Sequence, residues 1–111
     1  MPIHIVRVTV RGQFDRPDAA TRAELVAAAE DHDALLARFT PEGTFTYDRA
    51  LTVFSFRYEV RTRTDDGTDP ATGRDDALAI GLERATAFLA EAGIPAKRLR
   101  AEGTDMADMW R

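Results

Sequence analysis

The clearest β-strand in this sequence is Phe54-Ser55-Phe56-Arg57-Tyr58-Glu59-Val60-Arg61, in which apolar and polar residues alternate one by one. Successive side chains of a strand point to opposite faces of a sheet. We therefore expect the aromatic residues and Val60 to be buried under helices. The other face of the same strand then carries Ser55, Arg57, Glu59 and Arg61. This orientation assigns one buried face and one open face to the whole sheet.

The periodicities on either side of this strand predict the order β-α-β-β-α-β. Strands are predicted at Ile3–Arg11, Gly43–Asp48, Leu51–Arg63 and Arg98–Thr104, and helices at about Ala19–Phe39 and Asp76–Ala92. This is the α+β, ferredoxin-like arrangement, with a four-stranded antiparallel sheet in the order 4-1-3-2 and both helices on one face. With 111 residues we expect a single domain over residues 1–111, in which 105–111 form a C-terminal tail.

Composition excludes several kinds of chemistry. The chain has no cysteine, so disulfides, thiolate catalysis and Cys-ligated metals are impossible. Its net charge of −4 argues against a nucleic-acid partner. No apolar run is long enough to span a membrane, and the N-terminus lacks the features of a signal peptide, so a cytoplasmic location with no membrane partner is expected.

We expect no cofactor and no metal. The two histidines, His4 and His32, lie on separate predicted elements and show no metal-ligand spacing. A metal-dependent enzyme would require these two side chains to converge.

The open sheet face is the main candidate for function. We call it the arginine face, because the outward residues of the predicted strands include Arg7, Arg11, Arg57, Arg61 and Arg100. Guanidinium groups bind carboxylates and phosphates through paired hydrogen bonds. Arg7 and Arg57 would then flank a small anionic or aromatic ligand.

Two other interpretations of the arginine face remain open. The arginines can pair with Glu59 and Glu102 across the strands, or simply meet solvent. Alternatively, the face packs against a second copy in a homodimer. For that case the predicted interface residues are Arg11, Ser55, Arg100, Met109 and Trp110.

The buried side of the sheet offers a second set of candidates. His4 could act as a general base, and Tyr47 and Tyr58 as hydrogen-bond donors or acids, in a pocket between sheet and helices. The structural alternative is that the tyrosines pack in the core with satisfied hydroxyl groups.

Two functional hypotheses follow from these candidates. In the first, the protein binds a small molecule, and one form of this hypothesis is a cofactor-independent enzyme of accessory or secondary metabolism. Its ligand residues are His4, Arg7, Tyr47, Arg57 and Tyr58. In the second, it is a non-catalytic homodimeric interaction or structural protein. A concave pocket of at least about 300 Å³ would favour the first hypothesis, and a solid core with a large shared surface the second.

Four segments of the chain resemble an actinobacterial family of about this length whose domain has unknown function. They are V-x-V-R-G-x-F-D (residues 8–15), R-A-E-L-x-A-A-A-x-x-H-D (22–33), F-T-P-E-G (39–43) and L-R-A-x-x-T-D-M (99–106). The resemblance implies a stand-alone bacterial protein and supplies no catalytic residues. At the level of fold, the chain also looks like the dimeric α+β barrel group. That likeness implies a cavity between sheet and helices, although no motif of the group is matched.

Overall fold

The computed structural model describes residues 3–32, 38–63 and 70–106, without the side chains of residues 3, 4, 63 and 70–72. These described residues form four strands, two α-helices and one short 3₁₀ helix. Their bounds are β1 Ile3–Phe14, α1 Ala19–Ala27, the 3₁₀ helix Ala29–His32, β2 Thr44–Tyr47, β3 Val53–Arg63, α2 Pro70–Ala92 and β4 Ala96–Asp105. The strands form one antiparallel sheet in the order β2-β3-β1-β4. The predicted fold class and strand order are therefore confirmed.

The buried face of the sheet is the predicted one. Its fully or almost fully buried residues are Val6, Val8 and Val10 of β1 and Phe54, Phe56, Tyr58 and Val60 of β3. Ala77, Ala85 and Leu89 of α2 are buried with them in one core. Because strand side chains alternate, the arginines of β1 and β3 lie on the opposite face.

No helix within the described ranges combines the length and the apolarity that crossing a bilayer requires.

The first helix is shorter than predicted. The α-helix ends at Ala27 and a 3₁₀ helix follows to His32, whereas the sequence analysis placed one helix as far as Phe39. Asp and His are weak helix formers, and they crowd this stretch. In addition, the Nδ1 atom of His32 is hydrogen-bonded to the carbonyl oxygen of Phe45 at 2.8 Å, which ties the turn to β2. Phe39 consequently lies outside any helix.

The bounds of the other elements also differ from the prediction, by one residue at each end of β2 and by two residues at the start of β3. The first strand runs through Gly12, where the prediction ended it, to Phe14. A Cβ atom at Gly12 would come within 2.6 Å of the Phe54 ring, so glycine lets the strand pass over that ring. The second helix begins at Pro70, six residues before the predicted start, because proline suits a first helical turn. The last strand, Ala96–Asp105, extends beyond the predicted Arg98–Thr104 at both ends.

Candidate functional site

The sheet register brings the arginines of three strands close together. Arg11 of β1 lies opposite Ser55 of β3 on one side and Arg100 of β4 on the other. Part of the charge is neutralised within the sheet. Arg11 pairs with Glu102 at 3.3 Å, and Arg61 pairs with Glu59 at 3.7 Å. Pairing with a glutamate across the strands, one of the interpretations left open by the sequence, therefore occurs for Arg11, whereas Arg61 pairs within its own strand.

Phe39 covers one part of the arginine face. Its ring centroid lies 5.2 Å from Cζ of Arg7 and 5.6 Å from Cζ of Arg57, within the range of cation–π contacts. The carbonyl oxygen of the neighbouring Thr40 accepts a hydrogen bond from the Glu59 amide at 2.8 Å. This bond holds the segment beside β3, just beyond the residues of β3 that pair with β2. The structure thus brings Arg7 and Arg57 to one ring of the same chain, and their role as ligand residues stays a prediction.

A cavity of about 880 Å³ lies at the end of the arginine face where β1 ends and β4 begins. It contains residues from all four strands, from the β2–β3 loop and from the 3₁₀ helix. They are Arg11, Gly12, Gln13, Ala29, Thr46, Tyr47, Asp48, Arg49, Val53, Phe54, Ser55, Arg98 and Arg100. Three of the residues predicted for a dimer interface (Arg11, Ser55 and Arg100) therefore line a cavity.

The charge in this cavity is positive, in a chain whose net charge is −4. Four arginines line it against one carboxylate, that of Asp48. Asp48 Oδ1 accepts hydrogen bonds from the backbone amides of Thr52 at 2.8 Å and Val53 at 3.1 Å, so it serves as a cap for the loop. Neither Arg98 nor Arg100 forms an ion pair with a carboxylate of the described residues.

Arg98 reaches the cavity through an irregularity in β4. Between β1 and β4 the register shifts, so that Arg100 pairs with Arg11 but Lys97 pairs with Gln13. Arg98 adopts a φ of 56°, which L-residues other than Asn and Asp rarely do. A β-bulge of this kind redirects a side chain, and here the Arg98 Nη1 atom lies 3.5 Å from Oε1 of Gln13. Arg98 was not predicted as a site residue, because nothing in the local sequence pattern signals a bulge.

The β2–β3 side of the cavity is uncharged apart from its loop. The hydroxyl groups of Thr46 and Ser55 are hydrogen-bonded to each other at 2.9 Å. Val53 exposes 49% of its surface, although it lies at the start of a core strand. The cavity therefore has a cationic end over β4 and β1 and a largely neutral end over β3 and β2.

The tyrosines predicted as site residues lie on the buried side of the sheet. The Tyr47 hydroxyl donates to the carbonyl oxygen of Leu25 at 2.5 Å, and burial, followed by the nearby charge of Asp31, raises the pKa of Tyr47. Burial raises the pKa of Tyr58 to about 12, against a smaller opposing effect of Arg84. Both side chains belong to the hydrophobic core.

A smaller cavity of about 190 Å³ lies between the two helices and β2, and Leu25, His32, Tyr47 and Phe88 are among its walls. It is below the roughly 300 Å³ of a typical small-molecule site. Tyr58 lines neither cavity.

The remaining predicted residues lie apart from the large cavity or outside the described residues. The side chains of His4, Met109 and Trp110 are outside the description. The backbone of His4 pairs with Thr62, six residues or about 20 Å along β3 from Phe56. Phe56 pairs with Phe45 of β2, and the Phe45 ring contacts the His32 ring. The two histidines therefore lie towards opposite ends of the sheet. In the described part of the chain, no group of three or more His, Asp or Glu residues is placed to hold a metal ion.

Comparison with known proteins adds a family and no function. No curated protein and no solved structure matches the chain. One family does match, over residues 1–110, and its description is "Family of unknown function (DUF6204)". The resemblance found in the sequence is thereby confirmed for the family, while the actinobacterial source and the likeness to dimeric α+β barrels stay predictions. A match over residues 1–110 of this 111-residue chain establishes that it belongs to the DUF6204 family.

Proposed function

We propose that this protein binds a small anionic molecule in the cavity at the β1–β4 end of the arginine face. The observation that carries the proposal is the pair Arg98 and Arg100, which line a cavity of about 880 Å³ and form no ion pair with a carboxylate of the described residues. Guanidinium groups present a planar set of donors that matches the oxygens of a carboxylate or phosphate. An anion in the cavity would supply the negative partner that these two arginines lack among the described residues.

The surroundings of this pair support a preformed site. Arg11 is held by Glu102, and Gln13 lies beside Arg98, so both neighbours are already oriented. The cavity volume exceeds the roughly 300 Å³ that the sequence analysis set as the requirement for a ligand site. Preorganised donors reduce the entropy lost when a ligand binds.

The proposal is for binding, without a catalytic step. A phenol with a pKa of about 12, as at Tyr58, is a weak general acid near neutral pH. The Tyr47 hydroxyl and His32 Nδ1 are both committed to backbone carbonyl oxygens. The enzyme form of the hypothesis would therefore need chemistry that these candidates do not supply from their present positions.

The competing proposal is a homodimer formed through the arginine face. Face-to-face packing would bring two copies of five arginines together, with Glu59 and Glu102 as the carboxylates on the same face. Excess like charge at a desolvated interface is costly. An anion shared between two copies would relieve this cost, so native mass spectrometry with and without phosphate tests the dimer separately.

Isothermal titration calorimetry at low ionic strength tests the proposed site, with inorganic phosphate, pyrophosphate and citrate as probes. Arg98→Gly removes one guanidinium and keeps a residue that accepts a φ of 56°. Arg100→Gln removes the second. Each lost charge-assisted contact should cost about 1.5–3 kcal/mol, or roughly 10- to 100-fold in Kd.

Arg61→Gln is the matched control. It removes the same charge from the same sheet face, but Arg61 pairs with Glu59 and does not line the cavity. Binding in this variant should stay within about twofold of the wild type, because a distant exposed charge is screened. The proposal fails if none of the probes binds, or if Arg61→Gln weakens binding as much as Arg100→Gln does.

A further inference from the structure

The two ends of the large cavity differ in character, and this difference identifies the class of ligand. We infer that the ligand is an amphiphilic anion, an acid group attached to an apolar ring system, which lies across the strands with its acid over β4. This inference rests on the proposed anion site. It adds which part of the ligand occupies which end.

The cationic end is built from neighbouring strands. Arg98 and Arg100 come from β4, and Arg11 comes from β1 directly opposite Arg100. These three guanidinium groups have a single carboxylate partner among them in the described residues, Glu102 on Arg11. An acid group is therefore best accommodated here.

The other end offers an apolar surface and few free polar groups. Val53 exposes about half of its surface within the cavity wall, and exposed large hydrophobic residues are rare in the described part of this chain. The Thr46 and Ser55 hydroxyls are hydrogen-bonded to each other. A ring that covers Val53 would remove apolar surface from water without burying an unpaired charged group.

Electrostatics also fix the direction of the ligand. Asp48, the carboxylate in the cavity wall, belongs to the β2–β3 loop at the neutral end. Arg49 in the same loop is paired with Glu30 at 3.7 Å. An acid group at this end would meet the charge of Asp48, whereas at the other end it meets Arg98 and Arg100, which form no ion pair within the described residues. The sheet order separates β2 from β4 by three strand spacings, or about 14 Å, which is enough for a two-ring system with an acid group.

Three probes that share parts test the inference by calorimetry: 2-naphthyl phosphate, inorganic phosphate and 2-naphthol. We expect 2-naphthyl phosphate to bind at least about tenfold more tightly than inorganic phosphate, because the ring covers apolar surface. We expect 2-naphthol to bind more weakly than 2-naphthyl phosphate by a similar factor, because it lacks the charge that Arg98 and Arg100 recognise.

Val53→Thr replaces the exposed apolar side chain with a polar one of the same shape. It should weaken 2-naphthyl phosphate about three- to fivefold and leave inorganic phosphate unchanged. Val26→Thr is the matched control, because Val26 is a valine of similar exposure (54%) on α1 that does not line the cavity. It should change neither affinity.

The outcomes separate this inference from the proposed function. If inorganic phosphate and 2-naphthyl phosphate bind equally, the amphiphilic ligand is wrong and the anion site stands. If Val26→Thr affects 2-naphthyl phosphate as strongly as Val53→Thr, the ring binds elsewhere and the inference is again wrong. If neither phosphate binds, or 2-naphthol binds as tightly as its phosphate ester, the anion site itself is wrong.

Discussion

The Gly43→Ala substitution should destabilise this protein far more than Gly93→Ala. Both glycines have a positive φ, 92° at Gly43 and 68° at Gly93, so each substitution strains the backbone. Their surroundings differ. A Cβ atom at Gly93 would meet no other atom within 4 Å, whereas at Gly43 it would overlap the Tyr58 ring, whose Cδ1 and Cζ atoms would lie 2.7 and 2.8 Å away.

The difference in stability loss between the two variants depends on how little the Tyr58 ring can move. Its side chain is only 2% exposed, and its ring stacks on Phe56 with a centroid distance of 5.9 Å. The ring cannot give way without disturbing the core. The backbone contribution is about 1 kcal/mol for either alanine. Overpacking against a buried ring adds about 1–3 kcal/mol at Gly43. We therefore expect losses of about 1 kcal/mol for Gly93→Ala and about 3 kcal/mol for Gly43→Ala.

Urea denaturation followed by circular dichroism measures both losses. With a slope near 1.5 kcal/mol per molar urea, a 2 kcal/mol difference separates the two midpoints by about 1.3 M. A double-mutant cycle with Tyr58→Leu isolates the steric part, because leucine lacks the ring atoms that meet the new Cβ. In that background Gly43→Ala should cost only about 1 kcal/mol. The reasoning is refuted if both alanine variants lose the same free energy of unfolding, or if the cycle gives no coupling energy with Tyr58. Either result would show that the close approach of Gly43 to the ring does not affect stability.

Two further predictions concern the tyrosine hydroxyl groups. Tyr47→Phe should lower the free energy of unfolding by about 1 kcal/mol, since it leaves the Leu25 carbonyl oxygen without its donor. In thermal denaturation the Tm should fall by about 4–6 °C. A change in Tm below about 1 °C would contradict this prediction. For Tyr58 the folded pKa of about 12 lies above the usual 10, so the folded state holds the proton more tightly. Below about pH 10, Tyr58 is protonated in both states and contributes nothing to the pH dependence of stability. As the pH rises from there towards 12, the unfolded state loses the proton first. The free energy of unfolding therefore falls by roughly 1–2 kcal/mol, after allowance for partial solvation. In urea titrations between pH 8 and 11, Tyr58→Phe should lose stability less steeply than the wild type, and parallel curves would show that Tyr58 does not titrate differently in the two states.

Local periodicity was sufficient to predict the fold. The alternation of Phe54, Phe56 and Tyr58 with polar residues identified the buried face of β3, and all three side chains are buried in the structure. An alternating pattern records which side of a strand meets apolar neighbours, so it survives into the structure. The start of α1 also agrees with residue type, because aspartate favours the N-cap position and the Asp18 side chain accepts a hydrogen bond from the Thr21 amide at 2.8 Å.

Long-range geometry was not readable in the same way. Phe39 fits a helical stripe in the sequence, yet it contacts Arg7 and Arg57 on the opposite side of the sheet. Its position depends on the end of the helix at His32 and on the pairing of Thr40 with β3, and neither is a local property. The same holds for Arg98, whose entry into the cavity depends on a register shift between β1 and β4.

The candidate site therefore has two origins. That a face of the sheet would be rich in arginine follows from the order of residues along single strands, because a side chain's face depends only on its place in the alternation. Which of those arginines contact a ring, which pair with a glutamate and which remain available to a ligand depends on residues up to 91 positions apart, as in the Arg11–Glu102 pair. Such contacts are set by strand register and by the path of the loops, which short-range patterns do not encode.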